Sequence, residues 1–191
     1  MDEIQSLFTG PADVSPSLPL VTQWAEALCN EQKTYLPTGE SMLHAVLRTL
    51  VFDVDVLAPG ELTRPPSGLD KLAGLGVEDA IKRFIFGMDL GEGATIGYDR
   101  AMSFTERRER LRGRRPAITT AGRIGMAPSH ARDRDLVCAF AAGMHLYIVR
   151  EIEDSSPVRY IFVGEAYVHG LMDGEWKAMA SVRGPLEIGL V

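Results

Sequence analysis

The strongest constraint on the fold is a change of rhythm at Gly113. Beyond it, apolar residues come in short runs separated by turn chemistry. PAITTAGRIGMAPS has two runs around Ala121-Gly122, and DLVCAFAAGMHLYIVREIE has two longer ones around Ala142-Gly143. VRYIFVGEAYVHG follows the turn Asp154-Ser155-Ser156-Pro157 as a long strand, and PLEIGLV offers a closing strand. Short strands with turns every ten or so residues indicate a small barrel or sandwich. The expectation is a strongly curved antiparallel β-barrel of five or six strands over residues 113–191.

Before Gly113 the period is helical. In LPLVTQWAEALCN, residues Leu20, Trp24, Ala27 and Leu28 share helical spacing, and Pro19 suits a helix start. Pro37-Thr38-Gly39-Glu40-Ser41 is a turn whose serine caps a helix carrying Met42, Val46, Leu47 and Leu50. APGELTRPPSG (58–68) reads as a loop. A segment with Leu69 and Leu72 ends near Gly74 or Gly76. The next helix carries Ile81, Phe84, Ile85 and Met88, GEGATIG is a break, and DRAMSFTERRERLRG is helical with Met102, Phe104 and Leu111 as buried contacts. The predicted class is α+β: an all-helical region, 20–112, packed on the C-terminal small antiparallel β-barrel, 113–191. Residues 1–19, with Pro11, Pro16 and Pro19, read as a flexible lead-in.

The 191 residues suffice to bury a sizeable core. No apolar run approaches the roughly 20 residues that cross a bilayer, and the acidic N-terminus lacks the layout of a secretory signal. Cys29 and Cys138 stand in apolar contexts and read as buried thiols, so an intracellular, cytoplasmic protein is expected. The net charge of −6 is unevenly spread: −9 over residues 1–99, +7 over 100–134 and −4 over 135–191. The positive block centres on RRERLRGRR, with Arg107, Arg108 and Arg110 as candidate contact residues. No aromatic residue is interleaved with these arginines, so an acidic protein surface fits them better than nucleic acid.

The stretch GEAYVHGLMDGE (164–175) gathers polar groups behind an apolar strand and admits three readings: an active site, a metal site, or a corner. Glu165 and His169 lie about 13 Å apart along a strand, so they make no contacting acid–base pair unless it bends sharply. His169, Asp173 and Glu175 offer one nitrogen and two oxygen donors, but structural zinc takes four, and no Cys or second His is near in sequence. Gly170 allows a positive φ, and Asp173-Gly174 is a turn pair. The corner is the favoured reading, with Glu165, Tyr167, His169, Asp173 and Glu175 as a candidate contact surface. Asp135 reads as a turn or strand-start residue and Cys138 as an apolar filler. The glycines at 87, 91, 93 and 97 match no phosphate-binding pattern.

Three ordered pieces carry a family resemblance: Gly122-Arg123-Ile124-Gly125-Met126-Ala127-Pro128, Arg134-Asp135-Leu136-Val137-Cys138, and Val163 through Glu175. They resemble the region after the HET domain in fungal heterokaryon incompatibility proteins. Gly39-Glu40-Ser41 and Leu47-Arg48-Thr49-Leu50 are similar to an upstream segment of the same proteins. The HET domain's own acidic and Tyr-Trp-rich motifs are not found, so the chain looks like the C-terminal part of such a protein or a stand-alone relative. The resemblance implies nonself recognition and regulated cell death between incompatible strains. The expected role is a non-catalytic regulatory or interaction module, without metal or cofactor. Its expected partner is a protein, a HET domain in cis or in trans; neither membrane nor nucleic acid is expected. The alternative is a hydrolase-like enzyme using His169 with nearby acids, which needs a third polar partner from elsewhere in the fold.

Overall fold

A computed structural model of the chain describes residues 2–7, 16–58, 61–63, 69–72, 74–88, 104–141, 143, 145–178 and 187–191. In chain order the elements are β1 (Asp2–Leu7), α1 (Leu18–Glu31), β2 (Thr34–Tyr35), β3 (Glu40–Ser41), α2 (Met42–Leu50), β4 (Asp55–Ala58), β5 (Glu61–Thr63), a 3₁₀ turn (Leu69–Leu72) and α3 (Val77–Phe86). Then follow α4 (Phe104–Arg110), β6 (Arg114–Thr119), β7 (Ile124–Pro128), β8 (Leu136–Ala139), β9 (Leu146–Glu151), β10 (Arg159–Val168) and β11 (Gly189–Leu190). Two units divide the chain: Asp13–Arg114, and Arg115–Val191 together with Met1–Ala12.

In the first unit, α1 starts behind Ser17 with Pro19 in its first turn. It buries Val21, Trp24, Ala25 and Leu28, while Ala27 is exposed, so the buried stripe is rotated from the one its spacing suggested. The α2 helix follows its reading closely. Ser41 Oγ accepts the His44 N–H at 3.2 Å, and Met42, Val46, Leu47 and Leu50 are buried. Helix α3 buries Ile81, Phe84 and Ile85 and stops at Gly87, where φ is 65°. Met88, expected on the same face, lies past that cap and is exposed. The helices α1, α2 and α3 pack on one another, and α4 packs on α3 with Leu111 buried beyond its end. Each large apolar side chain taken out of water here contributes about 1.5–3 kcal/mol.

The region is not all helical. Strands β2 and β3 pair across the Pro37–Gly39 turn, whose Gly39 has φ 79°. Strands β4 and β5 pair within the stretch read partly as loop. The break read over 91–97 and the contact read for Met102 lie outside the described residues.

The second unit holds a seven-stranded sheet in the order β11-β10-β7-β6-β1-β8-β9, with β10 also paired to β9. From β10 the pairings therefore run through β7, β6, β1, β8 and β9 and return to β10. The β1–β6, β1–β8, β7–β10, β8–β9 and β9–β10 pairs are antiparallel, and β10–β11 is parallel. The hairpin at Ala121-Gly122 forms as read, with Gly122 at φ 73°. Two differences stand out. Residues 2–7, read as lead-in, form β1 between β6 and β8. In the PLEIGLV segment the described residues, 187–191, supply the short β11 beside Arg159 and Tyr160 of β10. Ile4, Ala117, Ala127, Val137, Leu146, Ile148, Val163, Ala166 and Val168 belong to the unit's core.

Candidate functional site

The opening of the GEAYVHGLMDGE stretch is the far end of β10. This strand pairs with β9 from Tyr160 to Ala166, then with β7 through Tyr167–Met126 and Val168–Gly125. Within the β9 pairing the register shifts between Phe162 and Gly164, and Gly164 has φ 149°. The Pro128 ring lies 3.0 Å from where a Gly164 Cβ would stand. At Gly125 a Cβ would run into the Tyr167 carbonyl oxygen. Small residues at both places let β7 and β10 approach this closely.

After β10 the chain turns. His169 N–H donates to Ile124 O at 2.9 Å, Gly170 takes φ 80°, and Leu171 N–H donates back to Val168 O at 3.1 Å. The Glu175 carboxylate accepts the Asp173 N–H at 2.8 Å, and Gly174 takes φ 97°. The positive φ at Gly170 and Gly174 is the turn chemistry read from the sequence.

Two polar side chains of the corner are buried together, and its acids are exposed. His169 is 1% exposed and Tyr167 4%, and the Tyr167 hydroxyl shares a 2.7 Å hydrogen bond with His169 Nδ1. Glu165, Asp173 and Glu175 are exposed. The structure thus brings together Tyr167 and His169, which the sequence named without pairing. A buried ring needs partners for its polar atoms, and the Tyr167 phenol supplies one to His169.

A second polar cluster escaped the sequence reading. Asp135 is 2% exposed and carries a two-pronged pair with Arg150: Nε donates to Oδ1 and Nη2 to Oδ2, both at 2.8 Å. The Arg132 N–H donates to Asp135 Oδ2 at 2.8 Å, and Arg150 Nη2 also donates to His130 O at 3.1 Å. His130 Nε2 in turn donates to the Val163 carbonyl at 2.8 Å. Asp135 stands just before β8, at the strand start as read; its carboxylate also fastens the β7–β8 loop to β9. Arg150 stands far from it in sequence, so no local spacing signals the pair.

The arginine stripe splits. Arg107 is 2% exposed: its Nη1 donates to Phe84 O at 2.6 Å, and its guanidinium lies 4.1 Å from the Phe84 ring centre. That burial removes it from the expected contact surface. Arg108 is exposed, 5.7 Å from the Phe86 ring centre, and Arg110 is half-buried. Aromatic rings do lie beside these arginines, supplied by α3 rather than interleaved in the stripe, and such contacts contribute about 0.5–2 kcal/mol.

Both cysteines are free. Burial pushes the Cys29 thiol up from its ordinary range and the Cys138 thiol up to about 11, which keeps both protonated and unreactive near neutrality. Among the described residues no group of three or more His, Cys, Asp and Glu side chains is placed to hold a metal ion. No helix among them is long and apolar enough to cross a membrane.

The family model of the Het-6 beta-barrel domain matches residues 31–184, most of the chain. The chain belongs to that family. The Het-6 beta-barrel match takes in the helical segments from the end of α1 onward as well as β6 to β10, and it excludes β1. Over 65 residues the chain is 37% identical to heterokaryon incompatibility protein 6, OR allele, of Neurospora crassa. That match covers 34% of this chain and about a tenth of the Neurospora protein. No solved structure matches. The resemblance read from the three ordered pieces is confirmed at the level of the family.

Proposed function

We propose that this chain is a non-catalytic interaction module of heterokaryon-incompatibility-type nonself recognition, acting inside the cell upstream of regulated cell death. Its partner is a protein, a HET domain carried on the same chain or on another. In this reading the ring of strand pairings from β10 back to β10 is the barrel for which the family is named. The family match and the similarity to the Neurospora incompatibility protein support the biological setting. The observation that carries the non-catalytic reading is the burial of His169 against Tyr167, with the acids of the corner on the outside. A hydrolase would need that imidazole open to a substrate.

Two candidate contact surfaces are taken separately: Arg108 and Arg110 on the helical unit, and the exposed acids Glu165, Asp173 and Glu175 on the β unit. Contacts of this kind steer association and weaken with salt, because the screening length falls from about 10 Å at 0.1 M to about 3 Å at 1 M. The test pairs Arg108→Glu/Arg110→Glu with the parent, leaving the buried Arg107 intact. Capture of a HET-domain partner falls about tenfold in the variant and falls with salt in the parent. Binding of duplex DNA or RNA near physiological salt, abolished by the variant while partner capture is unchanged, would overturn the proposal in favour of nucleic acid.

A further inference from the structure

Seven large apolar side chains are exposed among the described residues, and five of them share one neighbourhood of the β unit. Val158 stands just before β10, Ile161 and Phe162 lie on it, and Leu190 and Val191 lie at β11. The pairs Arg159–Gly189 and Tyr160–Leu190 set these two segments side by side. Single exposed apolar residues need no explanation, but a cluster of them rimmed by polar groups marks a contact surface.

On β9, Leu146 and Ile148 belong to the core of the unit, and Tyr147 between them alternates to the outer face. Phe162 shares that face: its ring centre lies 5.7 Å from that of Tyr147, which lies 5.0 Å from that of Phe140. Tyr147 and Phe140 are half-buried while Phe162 is 47% exposed, so the row ends in one open, supported ring. Leu190, paired with Tyr160 and 46% exposed, continues the face onto β11. Carboxylates stand at both ends. Glu165 is paired across the strands with Tyr147, and Glu151 with Tyr160, which is about 7 Å along β10 from Phe162. Both glutamates are exposed. Two arginines of these strands are turned elsewhere: Arg150 is held by Asp135, and Arg159 alternates to the side of β10 opposite Tyr160.

We propose that this face is a docking surface for a basic segment of another protein, which lays an arginine or lysine over the Phe162 ring while its apolar neighbours cover Leu190. Complementarity carries the assignment. The open face of an aromatic ring attracts a cation, and a carboxylate on either side along the strands pairs with further basic groups. The exposed apolar side chains beside the ring select a polypeptide over a small free cation. The same carboxylates repel nucleic-acid phosphate and anionic lipid. The proposal adds a surface to the function given above and does not depend on a HET-domain partner.

The test measures binding of the full chain to labelled synthetic peptides of equal length, one alternating Arg and Leu and one alternating Glu and Leu. The protein is used as wild type, as Phe162→Ala, as Glu151→Lys/Glu165→Lys and, for an equal change of charge elsewhere, as Glu26→Lys/Glu31→Lys on α1. Thermal melts establish that each variant is folded, and if Phe162→Ala is not, the Glu151/Glu165 reversal decides alone. The expected result is binding of the Arg–Leu peptide and none of the Glu–Leu peptide. Phe162→Ala and the Glu151/Glu165 reversal each weaken binding about tenfold or more, and the α1 reversal leaves it unchanged. No binding of the Arg–Leu peptide to wild type would overturn the proposal. Equal weakening by the α1 reversal would reduce the effect to overall charge and also overturn it. Self-association of wild type, or uptake onto phosphatidylcholine vesicles, lost in Phe162→Ala while peptide binding is unchanged, would overturn the basic segment as occupant and assign the face to a second copy or to a lipid surface.

Discussion

Each unit contains an arginine clamped by carboxylates, and the two clamps differ in reach. In the helical unit Arg48 holds Asp53 through Nε at 2.6 Å and Nη2 at 2.9 Å, and Glu40 through Nη1 at 2.9 Å. All three residues flank or lie on α2. The clamp staples the ends of one helix: Glu40 just before it, and Asp53, at φ 55°, just after it. In the β unit Arg150 on β9 holds Asp135, which stands before β8 and orders the loop that receives β1. The first clamp supports local structure that α2 already favours. The second extends the β8–β9 ladder, whose register places Asp135 across from Arg150, and ties the β7–β8 loop to it.

This difference sets an order of expected losses. Asp135→Ala leaves the Arg150 guanidinium without its buried partner and the β7–β8 loop without its anchor. The expected cost is about 3–5 kcal/mol in urea unfolding of the whole chain, with the amide of Ile4 losing protection from hydrogen exchange first. Arg48→Met removes bonds to the buried Asp53 and the half-buried Glu40 but leaves no two strands or loops unfastened, so about 1.5–3 kcal/mol is expected. Equal losses for the two variants, or the reverse order, would break the comparison.

The same contrast explains what the sequence could and could not reveal. The α2 helix was legible because its cap, its period and its turn all lie within a few residues of one another. The corner at Gly170 was legible for the same reason. Strand β1 was not: MDEIQSLF is acidic and short, and Ile4 becomes meaningful only through Arg134, Asp135 and Thr119 far along the chain. The burial of Arg107 depends on where α3 places Phe84, and the stripe of arginines gives no sign of which member turns inward. The β4–β5 hairpin did leave a signal, the alternation of Val54 and Val56 before Pro59-Gly60. The Pro and Gly content outweighed it in the reading.

The smallest effect comes from the thiols, one in each unit. Burial raises both pKa values, Cys138 to about 11 from an ordinary 9.0. The unfolded thiol therefore ionises first. Stability is fully present below the unfolded range near pH 9 and is lost as pH rises toward about 11. Wild-type protein should lose about 1 kcal/mol more than Cys138→Ala over that interval, measured by unfolding at stepped pH. Cys29→Ala should shift the helical unit in the same direction. A flat difference between wild type and Cys138→Ala from pH 8 to 11 would remove the thiol from the account.

The central claim is that the polar residues of the corner build the fold and do not run chemistry. The measurement is stability and partner capture of His169→Ala beside Gly170→Val, both assayed at a temperature where each remains folded. Gly170→Val should cost about 1–3 kcal/mol through strain at its positive φ. His169→Ala should cost a similar or smaller amount through the bond lost to Tyr167, with capture of a HET-domain partner unchanged. Parent-like stability of His169→Ala together with loss of a measurable turnover would contradict the claim and place His169 in an active site.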